Sequence, residues 1–228
     1  MNGAAGVEPR PLRSFVRREG RCTEAQRRAL ATLGPSYLVP PGAIDPVRVF
    51  GRPAELYLEI GCGAGETLTA LAATHPENNY LGIEVYRPGL GRLLQGLRRD
   101  AIGNVRLVAE DAAAVVPARL PDASLHGVYV FFPDPWPKPR HHKRRLLQAS
   151  FLAALRDKLR PQARVFIATD WEDYARQALA AMALDGGYRN LAGPGRYAPR
   201  PRWRPMTRYE QHARSAGRRV FDLLFAPS

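Results

Sequence analysis

Apolar residues along this chain fall into two alternating kinds of segment. Short apolar runs at residues 55–60, 79–85, 105–109, 127–132, 163–168 and 220–225 read as strands, each bounded by glycine, proline or acidic residues. Between them lie stretches with helical spacing: residues 66–74, 87–102 with Leu90, Leu93, Leu94 and Leu97 on one face, 143–159, and a last one from Trp171 to about residue 184. Strands alternating with helices predict a doubly wound, mostly parallel α/β sheet, in which ligands bind beyond the carboxyl ends of the strands. Ahead of the first strand the pattern is different. Residues 1–9 are small and polar and read as disordered, residues 10–21 are basic around Phe15 and Val16, and Thr23 with Gln26 forms a capping box for a short helix ended by Gly34 and Pro35. Prolines and glycines between 35 and 53 mark an extended connection. We therefore divide the chain into a basic N-terminal arm, 1–53, and one domain, 54–228.

The predicted strand ends share a chemistry. The first carries Glu59 and runs into Gly61, Cys62, Gly63, Ala64 and Gly65 before a helix, an arrangement that brings backbone donors close to a ligand. The glycine spacing is GxGxG, not the GxGxxG of dinucleotide-binding enzymes, which disfavours a nicotinamide-dependent oxidoreductase. Glu84 ends the second strand, 19 residues beyond Gly65, where a carboxylate can accept both hydroxyls of a ribose. Glu110 and Asp111 follow the third. Pro133 cannot donate to a ladder, so it ends the fourth strand and delivers Asp134 to the same rim. Asp134, Trp136 and Lys138 thus sit on a loop stiffened by four prolines, directly before Arg140, His141, His142, Lys143, Arg144 and Arg145.

Charge narrows the class of partner. The net charge is +13, yet residues 10–28, 138–145 and 196–219 carry +5, +5 and +7, so the rest of the chain is net acidic. Codon bias can favour arginine over lysine, but it does not cluster cations in three segments. Such clusters suit a polyanion, most often nucleic acid. In residues 193–205 Tyr197 and Trp203 alternate with four arginines; two readings stand open, aromatics that stack on bases and aromatics that tuck into the core. Thr207, Arg208, Tyr209 and Glu210 open a short polar segment. Two cysteines, Cys22 and Cys62, give neither a disulfide framework nor metal-ligand spacing. No apolar run approaches a membrane span and the N-terminus lacks an apolar signal core, so a cytoplasmic protein is expected, without a metal.

LEIGCGAG at 58–65, GIE at 82–84, FFPDPWPKPRHHKRR at 131–145, ATDW at 168–171, TRYE at 207–210 and VFDLLF at 220–225 together resemble the bacterial tRNA (guanine-N7-)-methyltransferase family. The similarity runs from RSFVRREGR at residue 13 to the end, and the FPDPW segment followed by RHHKRR is its most specific part. The glycine turn is shared by all S-adenosylmethionine-dependent enzymes of this fold. The resemblance implies a seven-stranded Rossmann-like sheet with an antiparallel C-terminal strand. It also implies S-adenosyl-L-methionine as methyl donor, held by Glu59, Gly61, Gly63, Glu84, Asp111 and Asp134, with Asp134 at the reaction centre. Lys138, Asp170 and Thr207 to Glu210 match substrate-binding positions, and Arg140 to Arg145 matches the RNA-interaction segment. The implied substrate is guanosine 46 of the tRNA variable loop; the oligomeric state stays open between monomer and homodimer. Tyr209, Arg208, Arg218 and Arg219 depart from the usual family residues.

The chemistry is consistent with these residues. Guanine N7 already carries a free lone pair, so no general base has to create the nucleophile, and positioning supplies much of the rate. The ring becomes cationic, and a carboxylate near it stabilises charge that grows in the transition state; that role falls to Asp134. Glu84 suits the ribose hydroxyls, Asp111 the adenine amine, and Glu59 the ammonium, through water. Trp136 or a neighbouring aromatic is expected to stack the flipped base, and His141 and His142 to contact phosphate or solvent. Two rivals remain: a methyltransferase acting on another RNA base, and a non-catalytic RNA-binding module.

Overall fold

Seven strands form one sheet in the computed structural model, which describes residue 15 and residues 20–228. The expectations for residues 1–14 and 16–19 lie outside the described residues. Within the described residues the first elements are α1 (Glu24–Thr32), α2 (Gly34–Tyr37) and α3 (Pro46–Phe50), then β1 (Leu56–Ile60), α4 (Glu66–Thr74), β2 (Asn79–Ile83), α5 (Arg87–Arg99), β3 (Val105–Val108), α6 (Ala112–Arg119) and β4 (Leu125–Phe131). After a 3-10 helix, Pro139–Arg144, come α7 (Ala149–Lys158), β5 (Leu159–Thr169), α8 (Glu172–Asp185), β6 (Tyr188–Asn190), α9 (Arg208–Ser215) and β7 (Phe221–Pro227). The strand order is β3-β2-β1-β4-β5-β7-β6. The first five strands pair parallel, and β7 runs antiparallel to both β5 and β6.

Strands covered on both faces read as nearly unbroken apolar runs, and β2 and β4 bury almost every residue. One core lies on the face of α6, α7 and α8, with Val115, Leu152, Leu155 and Met182 against Leu58, Val128 and Val165; a second lies under α1, α4 and α5, with Leu68, Leu93, Leu94 and Leu97 against Tyr80 and Leu107. Pro161, which has no N–H, falls where the β4–β5 register shifts between Leu125 and Gly127 and the ladder needs no donor.

Several elements differ from the sequence reading, among them α3 and β6, which have no counterpart in it. Pro35 does not end the first helix but begins α2 at its first turn, a position that proline suits. The helix expected over 143–159 starts only at Ala149, because Arg145, Leu146 and Leu147 turn inward and Gln148 ahead of the helix is extended. α6 has no counterpart among the expected helices, since its run of alanines with Pro117 inside gives little periodicity; Asp111 starts it by accepting from Ala113 N at 3.1 Å. Residues 207–210 open a full helix, capped by Thr207. The segment ahead of the domain is packed on it: Val39 N donates to Leu107 O at 2.8 Å, Tyr37 Oη to Ile102 O at 3.1 Å, and Ile44 lies in the core.

Candidate active site

β1 and β4 are sheet neighbours whose following helices pack on opposite faces, so their carboxyl ends open a crevice. A cleft of about 190 Å³ occupies it, walled by Gly61, Gly63, Glu84, Asp111, Asp134, Phe15 and Tyr209. Gly61, Gly63 and Gly65 have φ of 74°, 55° and 79°, the left-handed region that glycine enters without a Cβ clash. The third is also a packing requirement, since a Cβ on Gly65 would lie 2.1 Å from Leu93 Cδ1. A Cβ on Gly61 or Gly63 would meet nothing within 4 Å, which leaves the turn's backbone open toward the cleft.

Glu84 closes this turn from the neighbouring strand. Its Oε2 accepts from Gly63 N at 2.7 Å, and its Oε1 accepts from Val85 N at 2.7 Å and Tyr86 N at 2.8 Å. A carboxylate has about four acceptor sites, so three N–H donors leave Glu84, which lines the cleft, room for a further donor. Glu59 lies elsewhere: it is buried behind the turn, outside the cleft wall, and its Oε2 has no hydrogen-bond partner among the described residues. Burial pushes its carboxyl up to about 8; a backbone hydrogen bond from Leu68 opposes this, while Glu84 and Glu66 add to it.

Asp134 stands on a turn whose two flanks are strained. Phe132 has φ 52° and Trp136 φ 45°, a region that costs a bulky residue on the order of 1–3 kcal/mol and is held only by firm surroundings. Phe132 N donates to Ala168 O at 2.7 Å, and the Arg204 guanidinium lies over the rings of Phe131 and Phe132 at 5.1 and 5.9 Å. Arg204 is fully buried, with Nη1 2.9 Å from Asp222 Oδ1 and Nη2 3.4 Å from Glu210 Oε2. The Trp136 ring lies with His141 edge-on to it and the Arg144 guanidinium 5.0 Å above it. It is 7% exposed, so it is no open platform for a base. Tyr209, 55% exposed on the cleft wall, is the better placed aromatic.

The cationic run is sorted by the 3-10 helix. With three residues per turn, positions three apart share a face. His141 and Arg144 face Trp136; Lys138, Arg140 and Lys143 are exposed; Arg145 is buried, with the half-buried His142 against it. Arg145 is therefore a correction to the expected RNA-interaction segment, because burial and internal hydrogen bonds remove it from the surface.

The other matched positions spread around the rim. Arg208 donates from N and Nε to Glu66 at 2.7 and 2.8 Å, and Arg218 Nε donates to Asp170 at 2.7 Å. Thr207 accepts from Glu210 N at 3.2 Å. Glu210 is wholly buried and accepts from Arg200 at 2.7 Å and Arg214 at 2.8 Å; burial alone would raise its pKa, but the arginines outweigh it and hold the carboxyl below its usual range. Arg208, Asp170, Thr207 and Glu210 do not line the cleft, whereas Tyr209 does. The aromatics of residues 193–205 pack inward: Tyr197 lies 5.0 Å from Phe221, and Trp203 5.0 Å from Phe166 while staying 41% exposed. Among the described residues no cluster could hold a metal ion, and no helix is long and apolar enough to cross a membrane.

Residues 53–223 match the family model described as "Putative methyltransferase". The chain is 49% identical over 225 residues to a tRNA (guanine-N(7)-)-methyltransferase of Alkalilimnicola ehrlichii, covering 97% of this chain and 94% of that protein. A protein of the same name from Thiobacillus denitrificans is 45% identical over 227 residues, 99% of each. Among solved structures, a 16S rRNA (adenine(1408)-N(1))-methyltransferase of Catenulisporales acidiphilia with cosubstrate SAM superimposes with TM-score 0.56 at 19% identity, over 81% of this chain and 92% of that one. An antibiotic-related methyltransferase gives 0.55 at 16% identity, over 85% and 96%. These two are like this chain in fold.

Proposed function

The chain belongs to the tRNA (guanine-N(7)-)-methyltransferase family, and on that premise we propose how its cleft transfers a methyl group from S-adenosyl-L-methionine to N7 of guanosine 46 in the tRNA variable loop. The observation that carries the reading is Asp134 on a strained turn, across one cleft from an open glycine turn and Glu84. The donor set fits the cofactor: Glu84 for the ribose hydroxyls, Asp111 for the adenine amine, and the Gly61 to Gly63 backbone for close approach. Glu59, behind the turn, serves the ammonium only at one remove. When bound, the cofactor supplies an electrophilic methyl on a sulfonium sulfur.

Asp134 accepts from the guanine N1 and N2 donors and so turns N7 toward that methyl. With the cofactor bound, its methyl would pass to the N7 lone pair and leave the sulfur neutral, so this chain's residues have no proton to move. Asp134 then lies near a ring that has become cationic, an interaction stronger in the transition state than in the ground state. Tyr209 offers its ring to the flipped base. Lys138, Arg140 and Lys143, exposed on the segment that follows Asp134, neutralise tRNA phosphates in a cytoplasmic enzyme.

Incubating the protein with labelled cofactor and bulk tRNA tests this reading. N7 methylation labilises the ring, so borohydride and aniline should cut the product at one nucleotide of the variable loop. Label recovered in a methylated exocyclic amine would move the chemistry to another atom; no incorporation would favour a binding module.

A further inference from the structure

Arg145 ends a run of cations that charge alone would assign to RNA, yet its side chain is 1% exposed. Its Nε donates to Pro135 O at 2.8 Å, Nη1 to Gln177 Oε1 at 2.7 Å and Nη2 to Asp173 Oδ2 at 2.6 Å, with His142 Nε2 at 3.0 Å from Nη2. The guanidinium carbon also lies 5.0 Å from the ring centre of Tyr174. Pro135 follows Asp134 directly and precedes Trp136, whose left-handed backbone must be held by its surroundings. A guanidinium spreads five donors in a fixed plane, so one side chain can grip a loop carbonyl and two residues of a helix at once; a lysine ammonium cannot span that set in one plane.

We infer that Arg145 is a positioning residue for methyl transfer, which locks the carbonyl beside Asp134 to α8 and so fixes the carboxylate relative to the cleft. It touches neither phosphate nor base. This rests on the proposed role of Asp134. The 3-10 turn explains how the residue comes to be there: Arg145 caps the helix one turn after His142, and its N donates to His142 O at 3.0 Å.

The test separates rate from affinity. Arg145→Lys and Asp173→Asn are compared with wild type for single-turnover methyl transfer at saturating tRNA and cofactor, normalised to sites that bind cofactor, and for tRNA affinity across salt. Asp173 is half exposed and not on the cleft wall, so Asp173→Asn decides the matter should Arg145→Lys fail to fold. We expect the normalised rate to fall about 10- to 100-fold in Arg145→Lys, the scale set by an ångström of misplacement. A smaller fall is expected in Asp173→Asn, with tRNA affinity and its salt slope unchanged in both. Weaker tRNA binding with a shallower salt slope and a normal saturated rate would return Arg145 to the RNA surface. Fewer binding-competent sites with a normal rate per site would make it a fold residue only. Either result overturns the inference. Wild-type protein that methylates nothing would instead sink the proposed function itself, so the two failures are distinct.

Discussion

Gly63 N–H donates to Glu84 Oε2 at 2.7 Å, so the acidic end of β2 holds the glycine turn of β1 in place while remaining on the cleft wall. One carboxylate therefore has both a scaffolding and a ligand-facing side. Glu84→Ala should weaken S-adenosylmethionine binding by about 1.5 to 3 kcal/mol, the scale of hydrogen bonds to a charged group. Titration calorimetry on the folded variant measures it, and unchanged affinity would remove Glu84 from the cofactor site.

Asp134→Ala should abolish most methyl transfer while tRNA binding changes little, because separate phosphate contacts supply most of that affinity. Single-turnover rates and filter binding on the same preparation distinguish the two. A rate within about tenfold of wild type, less than about 1.4 kcal/mol, would rule out stabilisation of the transition state by this carboxylate.

Glu59 gives a pH prediction. Its folded-state pKa of about 8 lies above the ordinary carboxyl value of 4.5, so the folded protein binds the extra proton between these limits. Stability should thus be fully present below about pH 4.5 and fall as pH rises toward 8, with a slope of at most about 1.4 kcal/mol per pH unit. Glu59→Gln cannot ionise and should lose that slope. Thermal melts of both proteins from pH 4.5 to 8 that run parallel would contradict the raised pKa.

The exposed face of the 3-10 helix should set the salt response. Replacing Arg140 and Lys143 by alanine should reduce the slope of log affinity against log salt by roughly 0.7 to 0.9 for each phosphate that the variant no longer neutralises. Cofactor affinity should not move. Equal slopes for variant and wild type would place the tRNA backbone elsewhere.

Tyr209→Ala should cost about 1 to 3 kcal/mol in binding of the target nucleotide, the range for stacking a base on an aromatic ring, and Tyr209→Phe should restore it. A phenylalanine variant as weak as alanine would point to the hydroxyl instead.

The rim of the sheet is open to reading because parallel strands buried on both faces are contiguous apolar runs, and their ends are where polarity returns. Glu84, Asp111 and Asp134 stand on the cleft wall for that reason. Glu59 shares the pattern but lies one residue inside its strand, so alternation turns it away from the opening. Period is invisible in residues 138–145, where every position is polar or proline and no apolar contrast marks a face. That is why Arg145 could not be told from Arg140 by sequence. β6 has three residues, too few for alternation, and the buried meeting of Arg204, Glu210 and Asp222 joins positions up to 18 apart in sequence that no local pattern links.

β7 lies between β5 and β6, and among the described residues β6 has no other strand beside it. During synthesis, then, β6 leaves the ribosome with no edge to pair until residues 221–227 have followed. Arg204, which backs Phe131 and Phe132, can find Asp222 only at that same late moment. The crevice between β1 and β4 can form early, so a nascent chain could hold cofactor before it can hold the Asp134 turn in its final shape. Competence for methyl transfer would therefore arrive with β7, as a property of the completed sheet and not of the strands that form the crevice.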